Sequence, residues 1–193
     1  MTSSRETKAA LRIALRARRD GYVRNLADGE RVRLEERAAT SFVRWLEQSC
    51  CVSGYLAIGS EFCCLPVLRA AAAAGLETAL PHVTRRDVPM RFLAWSPGDL
   101  LEPGPAGLLQ PATDAREVLP DLIVTPLLGF DAGLWRIGQG AGFYDRGFAA
   151  MPHARRIGVG WSIQQVAEIP RDPWDERLHA IVTEGAVFEG ENV

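Results

Sequence analysis

Asp121-Leu122-Ile123-Val124-Thr125-Pro126 leads, after a short connection, into Arg136-Ile137-Gly138-Gln139-Gly140-Ala141-Gly142-Phe143-Tyr144-Asp145-Arg146. Leu122 to Thr125 is an apolar run without alternation, the pattern of a strand buried on both faces in a parallel sheet. The later stretch sets three glycines at alternate positions between two arginines, and a helical pattern runs from near Gly142 to about Ala150. Strand, loop and helix in that order put the loop beyond a strand's carboxyl end, where open α/β sheets bind ligands. Glycine lets a ligand approach the backbone amides closely, and a run of such amides makes an anion-binding concavity. A helix amino terminus adds partial positive charge. Arginine forks suit phosphate oxygens, and Asp145 suits a hard cation such as magnesium. These residues read as a site for a polyphosphate and its metal. The run is neither a Walker A loop nor a G-x-G-x-x-G fingerprint. Glycines kept for backbone reasons in a solvated turn are the alternative reading.

Outward from this stretch, strands and helices alternate. Ser3 and Glu6 have capping-box spacing, Lys8 to Arg19 is rich in helix formers, and Gly21 is placed to end that helix. A second helix is predicted from about Glu30 to Glu47, with apolar residues at helical spacing. Cys51 to Ala57 reads as a buried strand, Glu61 to Ala74 as a helix closed by Gly75, and Leu76 to Leu80 as a strand stopped by Pro81. Met90 to Ala94 is another strand, and Ser96 to Pro120, rich in proline and glycine, an irregular connection. Arg156 to Trp161 reads as a strand, Ile163 to Glu168 as a helical turn or short helix, and His179 to Thr183 as the final strand. The alternation predicts an α/β fold of three layers, α/β/α, with a mostly parallel central sheet, in one domain over residues 1–193.

Composition narrows the function classes. The 193 residues are 47% hydrophobic and 24% charged, with a net charge of -2, so no global basic excess calls for a nucleic-acid partner. No apolar run approaches the length of a spanning helix, and the first residues lack a signal-peptide pattern. The four cysteines fall in two adjacent pairs, Cys50-Cys51 and Cys63-Cys64, without the C-x-x-C spacing of zinc or redox sites. Neighbours on a strand point to opposite faces, so each pair is expected to split between core and surface. A reduced, cytoplasmic protein without membrane or nucleic-acid partners is the expectation. His82, His153 and His179 are scattered and form no histidine metal motif.

The segments Asp121 to Pro126, Phe130-Asp131 and Arg136 to Arg146 resemble the signature of the 5-formyltetrahydrofolate cyclo-ligase family, also called methenyltetrahydrofolate synthetases. Lys8-Ala-Ala-Leu-Arg12, Glu61 after the first strand, Pro81, Met90-Arg-Phe92, Asp175-Glu-Arg-Leu178 and Ile181-Val-Thr-Glu184 resemble other family segments in order, so the likeness spans nearly the whole chain. Departures are Leu134, where the family has glycine; Phe143 before Tyr144, where two tyrosines are commoner; and Gln110, where glutamate is typical.

The resemblance implies ATP-dependent closure of 5-formyltetrahydrofolate to 5,10-methenyltetrahydrofolate, with magnesium as cofactor and both small molecules as partners. A non-catalytic folate- or nucleotide-binding paralogue is the alternative. Lys8 and Arg12, four residues apart on one helical face, would reach the ATP phosphates. By spacing alone they extend with Arg16 and Arg19 into a solvated basic stripe, and Arg16, Arg18 and Arg19 keep that reading. Arg136 would act in catalysis on the triphosphate, or otherwise form a salt bridge to a loop carboxylate, and Gly138, Gln139, Gly140, Ala141 and Gly142 would cradle the phosphates. Tyr144 is a catalytic and substrate-binding candidate or a buried anchor of its helix. Glu61 would contact the pterin. Leu56 and Met90, with Phe92, Trp95 and Trp161, are candidates for apolar pocket walls, Leu56 and Met90 being the ones assigned to substrate. Asp145 and Asp175 would hold magnesium; otherwise Asp145 is a first-turn acid and Asp175 a turn residue.

Overall fold

The computed structural model describes residues 4–85, 88 and 90–190. Helix α1 spans Ser4–Arg24, α2 Glu30–Ala39, α3 Val43–Leu46, α4 Leu65–Ala73 and α5 Phe143–Ala150. The strands are β1 Cys51–Ser53, β2 Glu77–His82, β3 Arg91–Ala94, β4 Glu102–Pro103, β5 Leu109–Gln110, β6 Glu117–Val118, β7 Leu122–Pro126, β8 Gly129–Phe130, β9 Arg136–Ile137, β10 Arg155–Val159, β11 Ala180–Val182 and β12 Val187–Glu189. Eight strands form the central sheet in the order β12-β11-β10-β7-β1-β2-β3-β6. The run from β11 to β2 is parallel, and β12, β3 and β6 are antiparallel additions at the edges. β4–β5 and β8–β9 form separate hairpins.

Alternate residues of the sheet feed two cores, which makes three layers. Val52, Leu122, Val124, Ile157 and Val182 face one way, under α2, α3 and α4. Ile123 and Ile181 face the other way, against Phe148 of α5 and Phe130 and Leu134 of the β8–β9 hairpin. A third, smaller cluster seats Leu15 of α1 against Leu128, Ile137 and Ile169. The α/β class and the mostly parallel sheet agree with the sequence reading.

Several boundaries differ from it. Ser3, expected in a capping box, lies outside the described residues. Gly21 does not end α1, which runs on to Arg24 because Tyr22 and Val23 pack against the core. The predicted helix from Glu30 to Glu47 breaks at a 3-10 turn over Thr40–Phe42, which drives Phe42 fully into the core. β1 ends at Ser53, and residues 54–64 leave the sheet, so α4 begins at Leu65 rather than Glu61. Pro81 sits inside β2. Pairing with β1 stops at Ala79, so at Pro81 the strand has a neighbour on one side, where it registers with Phe92; an absent N–H is tolerated beside an open edge. The segment 163–168 holds a 3-10 turn over Ser162–Gln164, and β12 was not anticipated. Cys51 and Cys64 are buried while Cys50 is exposed and Cys63 half-buried, so each pair splits as expected. Among the described residues no helix is long and apolar enough to cross a membrane.

Candidate active site

Strand order reverses at β1. The chain goes from β1 to β2 on one side, and β7 later fills the other side. Beyond the carboxyl ends of such a pair the loops diverge and leave a crevice. Here the connection after β1 (54–64) and the connection after β7 (127–142) bound a cleft of about 1890 Å³. α1 crosses its mouth and the turn at 172–176 closes one end. Every residue assigned to the site from sequence borders this cleft: Lys8, Arg12, Leu56, Glu61 and Met90, then Arg136, the loop 138–142, Tyr144, Asp145 and Asp175.

α1 delivers its cations because Leu15 anchors one face. Lys8, Arg12, Arg16 and Arg19 recur at three- and four-residue steps on that same face, which turns them toward the cleft. Lys8 is buried, and its Nζ lies 2.6 Å from Asp172 Oδ2 and 2.6 Å from Asp175 Oδ2. Burial works against the ammonium, but the two carboxylates outweigh it, and Lys8 titrates above its ordinary value. Asp175 Oδ2 also accepts from Asp172 N at 2.7 Å, so Asp175 shapes the turn as well as facing the cleft. Arg12 Nε donates to Gly138 O at 2.9 Å. Gly140 has φ +99°, and a Cβ there would sit 3.2 Å from Arg12 Cζ. The backbone angle favours glycine, and a side chain there would also push on the Arg12 guanidinium.

Arg136 projects from β9 and is buried, with Nη2 2.8 Å from Asp145 Oδ1. Its Cζ lies 5.2 Å from the Phe148 ring and 5.8 Å from the Tyr144 ring, so aromatic faces wall the guanidinium. Burial lowers its pKa, against the opposing pull of Asp145, Tyr144 and Asp175. Its Nε has no partner. Burial also pushes the Tyr144 phenol well above its usual range; Tyr144 borders the cleft while its ring packs 5.9 Å from Phe148, so it serves both as wall and as helix anchor. Among the described residues no group of three or more histidine, cysteine, aspartate or glutamate side chains is gathered to hold a metal ion.

At the other end, Glu61 is buried. Its Oε2 accepts from Ile58 N at 3.1 Å and its Oε1 from Gln139 Nε2 at 2.9 Å. Gln139 Oε1 in turn accepts from Arg16 Nη2 at 2.5 Å. Leu56 and Met90 border the cleft, whereas Phe92, Trp95 and Trp161 are buried in the two cores away from it.

The match to known proteins follows the same frame. Residues 4–184 match the model of the 5-formyltetrahydrofolate cyclo-ligase family. The chain belongs to that family. The 5-formyltetrahydrofolate cyclo-ligase of Mycolicibacterium smegmatis is 31% identical over 193 residues, covering 93% of this chain and 95% of that protein. The Escherichia coli K12 cyclo-ligase is 32% identical over 145 residues, covering 72% and 80%. The solved structure of Aquifex aeolicus 5,10-methenyltetrahydrofolate synthetase superposes with a TM-score of 0.79 at 27% identity, covering 96% of this chain and 95% of that one.

The departures from the cyclo-ligase pattern now have physical content. Leu134 has φ +65°, a left-handed angle that explains why glycine is the usual occupant. The branched residue stays because its side chain is buried beside Phe130 and Leu178, which offsets a strain of about 1–2 kcal/mol. Phe143 borders the cleft with Arg146 Cζ 5.4 Å from its ring. Gln110 is buried, and its Oε1 accepts from Val83 N at 3.1 Å, so it ties β5 to the end of β2. Asp172, Arg19 and Arg16 are charged cleft residues missed from sequence, the last exposed as expected yet bordering the cleft and bonded to Gln139. Asp172 carries no local motif and is recognised by its bond to Lys8 across the fold. Arg19 was assigned to a solvated stripe but is buried; its helical spacing from Lys8 and Arg12, with Leu15 interleaved, was the available signal. Arg18 is exposed, as expected.

Proposed function

We propose that this protein closes 5-formyltetrahydrofolate to 5,10-methenyltetrahydrofolate at the expense of ATP, releasing ADP and phosphate. The observation that carries the reading is the arrangement of one cleft: a glycine loop flanked by Arg12, Arg136 and Lys8, and next to it, bonded to the loop's Gln139, a buried carboxylate, Glu61, with apolar cleft residues Leu56 and Met90. In this reading the loop amides from Gly138 to Gly142 hold phosphate oxygens, with Lys8 and Arg12 beside them. Glu61, Leu56, Met90 and Tyr144 hold the pterin.

A formyl amide is a poor electrophile because its nitrogen lone pair feeds the carbonyl. Transfer of the terminal phosphoryl group to the formyl oxygen turns that oxygen into a leaving group. Nitrogen 10 then attacks the formyl carbon, and phosphate departs as the five-membered ring closes. The protein aligns the two reactants and stabilises developing charge. Arg136 is suited to that task because its guanidinium is already desolvated and oriented.

Asp145 and Asp175 are the residues that would hold magnesium. Each already faces a cation, Arg136 and Lys8 respectively, and one or two carboxylates completed by substrate phosphates are how this ion is commonly held. When bound, magnesium would neutralise phosphate charge. The cytoplasmic address belongs to the same reading, since the four cysteines are free thiols.

The deciding experiment mixes purified protein with ATP, magnesium and 5-formyltetrahydrofolate and follows the near-ultraviolet absorbance of the methenyl product together with ADP. The expected result is equal formation of both, dependent on all three components. Binding of both small molecules without product would instead establish a non-catalytic paralogue.

A further inference from the structure

We infer that Arg19 is a specificity residue that donates to the ring carbonyl of the bound pterin, so that Arg19 and Glu61 together read a cyclic-amide edge. The inference rests on the reading above that Glu61 faces the pterin.

Arg19 lies on the cleft face of α1 and is 4% exposed. Its Nε donates to Ser60 Oγ at 2.9 Å, which fixes the plane of the guanidinium. Its Nη1 is buried, has no hydrogen-bond partner, and stands 3.8 Å from Glu61 Oε1. A buried donor left unused costs about 1–3 kcal/mol. Anchoring α1 to Ser60 needs Nε alone and does not account for an unused donor on a side chain that lines the cleft beside Glu61.

The neighbouring groups define what would satisfy it. Guanidinium is donor-only and carboxylate is acceptor-only. Side by side they complement an edge that presents a carbonyl oxygen next to an N–H. The 2-amino-4-oxo edge of a pterin is such an edge: its amino and ring N–H groups face a carboxylate and its carbonyl oxygen takes the guanidinium. Glu61 keeps acceptor capacity for this, because a carboxylate offers about four lone-pair sites and its recorded partners are Ile58 N and Gln139 Nε2.

The protein already places an amide of its own there. The Gln139 carboxamide gives N–H to Glu61 and takes a guanidinium N–H from Arg16, at 2.9 and 2.5 Å. An amide between a carboxylate and an arginine is the motif that the substrate edge would repeat with Glu61 and Arg19.

The test compares dissociation constants, by calorimetry, for 5-formyltetrahydrofolate and its 4-amino-4-deoxy analogue, in wild type and in Arg19→Met. The analogue replaces the carbonyl acceptor with an amino donor and the adjacent ring N–H with a bare nitrogen, so each ligand is compared with itself between the two proteins. Arg19→Met is expected to weaken the natural ligand by about 10- to 100-fold while leaving the analogue unchanged or tighter. Equal weakening of both ligands overturns the inference and leaves Arg19 a structural anchor. ATP affinity of the variant reports whether it folds. Should it not fold, a crystal structure of wild type with 5-formyltetrahydrofolate decides: Nη1 on the carbonyl oxygen upholds the inference, and a carbonyl turned elsewhere overturns it. A wild type that binds no 5-formyltetrahydrofolate brings down the functional reading itself, an outcome distinct from the loss of Arg19 discrimination.

Discussion

Asp145 carries two duties that a simple deletion would confuse. It is the proposed metal carboxylate, and it is also the partner of the buried Arg136. Truncation to alanine would strand that guanidinium, at a cost of about 3–5 kcal/mol for breaking a buried pair. Asp145→Asn keeps an oxygen for Arg136 and removes the negative charge. Its turnover is expected to fall by about 100- to 1000-fold, with a smaller drop in the urea midpoint than alanine causes, because the bond to Arg136 is kept while its charge goes uncompensated; magnesium-dependent turnover at the wild-type rate would count against the assignment. A second residue-scale prediction concerns alkali. Tyr22 OH donates to Glu184 Oε1 at 2.9 Å, and burial, with that bond, pushes the phenol from 10.0 up to about 12. The folded state therefore holds this proton more tightly than the unfolded chain, so the contribution is complete below pH 10 and lost as pH climbs to about 12. Tyr22→Phe should flatten that part of the stability profile measured by urea unfolding; an unchanged slope would assign it to other groups. Residues in the glycine loop were legible from sequence because their spacing is local. Arg19 and Asp172 were not, because their roles depend on partners brought together by the fold, Glu61 and Lys8.

At the scale of elements, the sheet was readable and its margins were not. The continuous apolar run at β7 and the helix after the glycine loop follow from local pattern. Pro81 misled because an imide is forbidden within a paired strand only on a side that is paired, and the length of β1 decides that. Gly21 misled because tertiary contacts of Tyr22 and Val23 carry α1 past a weak helix former. The β8–β9 hairpin, hidden in what read as a loop, presents Arg136 and receives Leu15 of α1. Leu15 is the fully packed apolar anchor of α1. Leu15→Ala is expected to destabilise the protein by about 2–5 kcal/mol and to raise the KM for ATP, since Lys8 and Arg12 ride on the same helix. A stability loss with an unchanged KM would mean that α1 holds its place by other contacts.

For the molecule as a whole, ligands should act as part of the core. The cleft separates the 54–64 connection, the 127–142 connection, α1 and the 172–176 turn, four pieces from distant parts of the chain. A nucleotide and a folate filling it would join all four. Each ligand at a hundred times its dissociation constant adds about 2.7 kcal/mol, so calorimetric melting should move upward with magnesium-ATP, and further with 5-formyltetrahydrofolate. A melting temperature indifferent to both would show that the cleft takes neither. One consequence of α1 reaches beyond stability. From Lys8 to Arg19 the helix advances roughly 16 Å, so in the proposed reading the residues between are graduations on a ruler whose two ends would meet different reactants. Adding a single residue between Arg12 and Arg16 would swing the far mark by about 100°, leaving the triphosphate gripped while the heterocycle lost its handhold. Natural length variation within that interval would therefore be expected to be purged.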